Sequence, residues 1–74
     1  MPEVEILHSN LRNLRELRAL SQRELAAKSG LSVTTVNRIE IGERKPMPRT
    51  IRKLAEALEV QPEELLSEQP RLIE

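Results

Sequence analysis

The side chains with the clearest chemical potential are Val33, Thr34, Asn37 and Arg38, which recur at the spacing of one helix face. They combine short methyl groups with a hydroxyl, a carboxamide and a guanidinium group, a set that suits non-covalent recognition. Covalent chemistry is poorly supported, because the sequence has no Cys, no Asp and a single His. These absences exclude a Ser-His-Asp triad, a Cys nucleophile and a multi-histidine metal site. We predict a binding protein that is not an enzyme and uses neither a cofactor nor a metal.

The segment that must present this face runs from Ser21 to Ile41 and has the signals of two short helices joined by a tight turn. Ser21 and Glu24 form a capping box, which starts the first helix near residue 22. Gly30 ends that helix, because glycine adopts the left-handed conformation at little cost. Ser32 caps the second helix. The pattern predicts a helix-turn-helix.

The second helix, over about 32–40, has the size and polarity to enter the major groove of B-DNA and contact base edges. Val33 and the Thr34 methyl group can contact a thymine methyl group, and the Thr34 hydroxyl can donate or accept a hydrogen bond. Asn37 can pair bidentately with adenine, and Arg38 can reach guanine or a phosphate. We predict these four as base-reading residues.

Charge is partitioned along the chain, although the net charge is zero. Residues 10–53 contain eleven Lys or Arg and four Glu, a balance of +7, whereas the remainder contains one Arg and eight Glu, a balance of −7. A basic half favours a polyanionic partner. Because the chain has no aromatic residue on which to stack bases, we expect double-stranded DNA rather than RNA or single strands.

Phosphate contacts are expected around the second helix. The loop from Gly42 to Pro48 follows that helix directly and carries Arg44 and Lys45. Arg49 and Thr50 follow at the start of the next helix, where exposed N–H groups attract anions. The full set predicted on position is Arg23, Ser32, Thr35, Arg44, Lys45, Arg49 and Thr50.

Three more amphipathic helices are expected around this pair. The first is capped by Ser9 or Asn10 and runs to about Leu20, a fourth starts at Pro48 and a fifth at Pro62. In the first helix, Arg12 and Arg18 either form a solvated face or reach a phosphate. The inward positions are Leu11, Leu14, Leu17, Leu20, Val36, Ile39, Ile51, Leu54, Ala55 and Leu58. We predict an all-α, compact five-helix domain.

The 74 residues are expected to form a single domain with a core at about 10–66, an N-terminal arm at 1–8 and a C-terminal tail at 67–74. The arm is either a frayed end or a segment that packs across a partner. Adjacent leucines near the end of the core cannot both bury, so one of them either seals a dimer or caps the monomer core. The dimer candidates are Leu65, Leu66, Leu72 and Ile73.

A longer pattern extends around the two helices and includes Leu17 to Ala26, Gly30 to Ser32, Val36, Arg38 to Glu40, Gly42, Arg44, Pro46 and Leu54 to Leu58. This pattern closely resembles the phage repressor and Cro superfamily, the XRE regulators, over roughly residues 11–66. The resemblance implies a lambda-repressor-like fold and a sequence-specific DNA-binding transcriptional regulator. It also implies a phosphate contact by Gln22 and an ion pair between Arg15 and Glu40. One departure is Ile41, where the family usually has Asn.

Short members of that family commonly pair through their C-terminal region, so the resemblance implies a homodimer on a two-fold symmetric operator. The alternative is a protein-interaction module of the same fold, such as an antitoxin or an adaptor with a protein partner. Such a module would not need the Lys and Arg concentrated between residues 10 and 53. No apolar run is long enough to span a membrane and the N-terminus has no signal-peptide pattern, so we expect a cytoplasmic protein.

Overall fold

A computed structural model of the protein describes residues 3–66, which contain five α-helices and no strand. The all-α, five-helix prediction is confirmed. The longest of these helices has 15 residues, and none in this range is long and apolar enough to cross a bilayer. The helices are α1 Glu3–Leu17, α2 Gln22–Ser29, α3 Val33–Glu40, α4 Pro48–Leu58 and α5 Pro62–Leu66.

The helix-turn-helix of α2 and α3 has the local signals that were expected from the sequence. The Ser21 hydroxyl oxygen accepts a hydrogen bond from the Glu24 N–H at 3.0 Å, and the Ser21 N–H donates to the Glu24 carboxylate at 2.8 Å. Gly30 has a φ of 76°, in the left-handed region. The Ser32 hydroxyl caps α3 by accepting from the Thr35 N–H at 3.1 Å. The capping box, the turn and the second cap are therefore confirmed.

The start of α1 differs from the prediction. The helix begins at Glu3, so the expected cap at Ser9 or Asn10 is wrong, and the expected arm at 1–8 is helical from Glu3 on. Leu7 is buried, which extends the apolar stripe one turn upstream. Asn10 is also buried and lies within the helix, where its side-chain amide donates to the Leu65 carbonyl at 2.9 Å. It therefore stabilises the end of α5 rather than the start of α1.

The end of α1 also differs, because the helix stops at Leu17 rather than near Leu20. Leu17 is 59% exposed, so its predicted place in the core is wrong. Arg18 instead turns toward α4, and its Nε donates to the Leu58 carbonyl at 2.7 Å. An arginine at that position satisfies a carbonyl that the end of α4 leaves without a helical partner. Ala19 then takes a left-handed conformation, with a φ of 59°.

The core lies between all five helices, with the most extensive contacts between α2 and α3 and between α1 and α5. Leu65 is fully buried in it, so of the two adjacent leucines Leu65 is the one that packs in the core. Its neighbour Leu66 is 47% exposed, while Leu72 and Ile73 lie outside the described residues. The buried apolar residues are Leu7, Leu11, Leu14, Leu25, Ala26, Val36, Ile39, Leu54, Ala55, Leu58 and Leu65.

Candidate nucleic-acid interface

The outer face of α3 carries all four residues predicted to read bases. Val33, Thr34, Asn37 and Arg38 are each exposed, whereas the opposite side of the same helix is buried in the core. The fold therefore presents a polar and methyl-bearing ridge on a helix whose inner side is fixed. The ridge belongs to the second helix of the helix-turn-helix, which is the helix expected to enter the major groove.

The C-terminal end of α3 is held by an ion pair between Arg15 and Glu40, the pair implied by the family resemblance. Arg15 Nε lies 2.6 Å from Glu40 Oε2 and Nη2 lies 3.0 Å from Oε1, so the contact is bidentate. Arg15 Nη1 also donates to the Leu20 carbonyl at 2.8 Å. The hydrogen bond to Glu40 raises the pKa of Arg15 above its ordinary value, and partial burial of the guanidinium opposes this. The pair fixes α3 relative to α1.

Gln22, at the start of α2, joins the same cluster. Its side-chain nitrogen donates to Glu40 Oε1 at 2.9 Å and to Asn37 Oδ1 at 3.2 Å. These two bonds engage both hydrogens of the amide nitrogen within the protein. The phosphate contact implied for Gln22 stays a prediction, and for this nitrogen it would require giving up one of the two bonds. Sequence reasoning missed the bond to Asn37, although Asn37 and Glu40 are three residues apart and so share a side of α3.

The N-terminal end of α3 is connected to the following loop through a second polar cluster. The Ser32 hydroxyl donates to Thr35 Oγ1 at 2.9 Å, and Arg44 Nη1 donates to the same oxygen at 3.3 Å. A surface groove beside this cluster is lined by Thr35, Arg44, Lys45 and Thr50 among others. The fold thus brings four of the predicted phosphate residues to one groove between α3, the loop and the start of α4.

Two further predicted phosphate residues, Arg23 and Arg49, are exposed on α2 and α4. Arg12 pairs with Glu16 on the surface of α1, at 3.3 Å and with both side chains more than half exposed. The phosphate assignments stay predictions.

The loop after α3 closes through backbone hydrogen bonds around Ile41, the position at which the sequence departs from the family pattern. The Ile41 N–H donates to the Asn37 carbonyl at 3.0 Å, and the Gly42 N–H donates to the Ile39 carbonyl at 3.1 Å. Gly42 has a φ of 83°, which glycine adopts without steric cost. The turn therefore forms although the side chain at 41 is apolar and 55% exposed.

Comparison with known proteins identifies the class to which this arrangement belongs. A family described as "Helix-turn-helix" matches residues 11–65, well over half of the chain. The chain belongs to the XRE-type helix-turn-helix family. This is a class of DNA-binding transcriptional regulators and not of enzymes, as the sequence predicted.

Two relatives and one solved structure illustrate the similarity. The chain is 47% identical over 64 residues to the HTH-type transcriptional repressor RghR of Bacillus subtilis (strain 168), covering 85% of this chain and 47% of that protein. It is 36% identical over 63 residues to the uncharacterized HTH-type transcriptional regulator y4dJ of Sinorhizobium fredii, covering 85% of this chain and 82% of that protein. The chain therefore spans about half the length of the Bacillus relative.

Among solved structures, the fold matches the crystal structure of the restriction-modification controller protein C.AhdI from Aeromonas hydrophila with a TM-score of 0.82. The sequence identity is 40%, and the match covers 84% of this chain and 94% of that one. The similarity therefore extends over nearly the whole length of that controller protein.

Proposed function

We propose that this helix-turn-helix protein regulates transcription by binding specific sequences of double-stranded DNA, with α3 in the major groove. The observation that carries the proposal is the exposed ridge of Val33, Thr34, Asn37 and Arg38 on a helix that is fixed at both ends. Fixed geometry matters because a base-reading side chain must approach its base edge to within hydrogen-bond distance. As a DNA-binding regulator, the protein would act in the cytoplasm.

The charge distribution supports an approach to DNA from this side. The basic side chains of Arg44 and Lys45 border the N-terminal half of α3, and Arg23 and Arg49 are exposed on α2 and α4, the helices that precede and follow α3 in the chain. The acidic Glu63 and Glu64 belong to α5, which packs chiefly on α1 and α4. A phosphate backbone would therefore meet positive charge around the ridge.

We further propose a homodimer on a two-fold symmetric operator, so that two copies of α3 enter major grooves roughly 34 Å apart. Leu66 supports this part of the proposal, because it is an apolar side chain that is 47% exposed at the end of α5. A half-exposed leucine beside a buried one gains free energy when a second subunit covers it.

The test is selection of the protein's binding sites from a random duplex library at about 0.15 M salt, where non-specific phosphate binding is partly screened. A motif with two-fold symmetry would support both the specific binding and the dimer. The discriminating variant is Arg38→Ala, which should change the selected base at one position in each half-site. Its matched control is Arg52→Ala, which removes an exposed arginine of α4 that is not among the predicted contacts.

Equal weakening of every sequence by Arg38→Ala would refute its base-reading role. Absence of any enriched motif, for a protein shown to be folded, would refute the proposed function. It would then favour the alternative of a protein-interaction module such as an antitoxin or adaptor.

A further inference from the structure

The loop that follows α3 is folded back against that helix, and this fixes the backbone on both sides of Arg44. The Glu43 N–H donates to the Arg38 carbonyl at 2.9 Å, and Pro46 is buried. Arg44 itself is exposed, so its long side chain is not held by burial. The direction of this side chain therefore depends on the polar contacts that it makes.

Thr35, on α3, provides such a contact, because Arg44 Nη1 donates to Thr35 Oγ1 at 3.3 Å. The Thr35 side chain is itself held, since the Ser32 hydroxyl donates to the same oxygen at 2.9 Å. Thr35 is half-buried and lines the groove between α3 and the loop together with Arg44 and Thr50. A hydroxyl fixed on α3 therefore joins this helix to the guanidinium of the loop.

The hydrogen bond to Thr35 leaves most of the Arg44 guanidinium available. A guanidinium has five N–H donors, and Thr35 engages one of them. Within residues 3–66, Arg44 has no other hydrogen bond or ion pair. The edge formed by Nε and Nη2 keeps two parallel N–H groups, which match two oxygens of one phosphate. Arg44 can therefore bind Thr35 and a phosphate at the same time.

We infer that Thr35 is a positioning residue, which contributes to DNA binding by holding Arg44 in place to contact a phosphate. The inference rests on the proposed function and refines it, because the sequence predicts separate phosphate contacts for these two residues. A side chain that is restricted before binding loses less conformational entropy when the phosphate contact forms. Thr35 keeps its own hydroxyl proton, so an independent phosphate contact by Thr35 is the competing explanation.

A double-mutant cycle of Thr35→Val and Arg44→Met separates the two explanations. Valine keeps the shape of threonine and removes the hydroxyl. The cap of α3 is retained in this variant, because Ser32 Oγ accepts from the backbone N–H of residue 35. Affinity is measured at several salt concentrations for a duplex with the selected motif and for a duplex of random sequence, since phosphate contacts act on both.

Arg44→Met should weaken binding about tenfold and lower the salt slope by about 0.9, the value for one phosphate contact. Thr35→Val should weaken binding about threefold in the wild-type background and change neither affinity nor slope in the Arg44→Met background. An equal loss in both backgrounds, about thirtyfold in the double variant, would show an independent contact and overturn the inference. Unchanged affinity of Thr35→Val in the wild-type background would also overturn it.

The matched control is Thr50→Val, which makes the same chemical change in the same groove. In the part of the chain that the structure describes, Thr50 has no hydrogen bond to Arg44. The effect of Thr50→Val should therefore be the same with and without Arg44→Met. If Thr50 is coupled to Arg44 as strongly as Thr35 is, the coupling does not come from the hydrogen bond and the inference is overturned.

A measurement without DNA separates this inference from the proposed function. In ¹⁵Nε relaxation, the order parameter of Arg44 should exceed that of Arg52, an exposed arginine of α4 without a hydrogen-bond partner in residues 3–66. In Thr35→Val it should fall to the value of Arg52. Equal values for Arg44 and Arg52 in the wild-type protein would overturn the inference even if the protein binds DNA. The expected fall, in a protein that binds neither duplex, would instead overturn the proposed function and leave the positioning of Arg44 supported.

Discussion

Replacing Glu40 with Ala tests whether α3 is fixed by charge as well as by packing. The substitution removes the carboxylate partner of the Arg15 guanidinium, and the Arg15 side chain is only 11% exposed. It also removes one acceptor from Gln22. Removal of one partner of a buried pair costs about 3–5 kcal/mol. Because Arg15 keeps the Leu20 carbonyl and some contact with solvent, we expect the lower end, about 3 kcal/mol.

That cost is large for a protein of this size, since 74 residues at roughly 0.05–0.15 kcal/mol each give a total stability of about 4–11 kcal/mol. At about 4–8 °C per kcal/mol for a small domain, Tm should fall by roughly 12–24 °C. The assay is thermal and urea unfolding followed by far-UV circular dichroism, which suits a helical chain without aromatic residues.

The control is Glu16→Ala, which breaks the exposed pair with Arg12 and should cost no more than about 0.5 kcal/mol. A double replacement, Arg15→Met with Glu40→Leu, should recover most of the loss, because apolar residues of similar volume often replace a buried pair without cost. If Glu40→Ala destabilises the protein no more than Glu16→Ala does, the reasoning that the pair anchors α3 is refuted.

Three other predictions follow from single features. Ala19→Gly should raise the free energy of unfolding by roughly 0.5 kcal/mol, because Ala19 has a φ of 59°, a left-handed conformation that glycine adopts more easily. Ala27→Gly, within α2, should instead lower it by about 1 kcal/mol. Both changes are measured as shifts of the urea midpoint. Leu66→Glu should convert the proposed dimer to a monomer in analytical ultracentrifugation, whereas Leu17→Glu, at an exposed leucine of α1, should not. Dimers in both variants would place the interface elsewhere. Because Glu40 raises the pKa of Arg15, the contribution of Arg15 to stability is present below its ordinary pKa and is lost only as the pH rises through the raised value. A stability change in the wild-type protein between about pH 7 and 9 that Arg15→Met abolishes would contradict this.

Features that depend on neighbours a few residues apart could be predicted from the sequence. The capping box of Ser21 and Glu24, the left-handed turn at Gly30 and the cap at Ser32 were all predicted, because each hydrogen bond or conformation is settled within one helical turn. The same holds for the outward face of α3, since alternation of buried and exposed positions follows from helix period alone.

Contacts between residues far apart in the chain could not be predicted from spacing, because they depend on how the helices pack. The first helix begins at Glu3 rather than Ser9, because Leu7 packs in the core that the other helices form. Leu65 was buried and Leu66 was not, although the two residues are alike in sequence, because α5 packs with one side against α1 and α4.

The contact between Gln22 and Asn37 belongs to the same group, because it joins residues 15 positions apart. The family resemblance implied a DNA contact for Gln22, and residue type and helix position predicted one for Asn37. The direction of the Asn37 amide, however, depends on a neighbour from another helix and on a buried carboxylate that orients that neighbour. Helix period places a side chain on a face, and the packing of helices fixes which other side chains it contacts there.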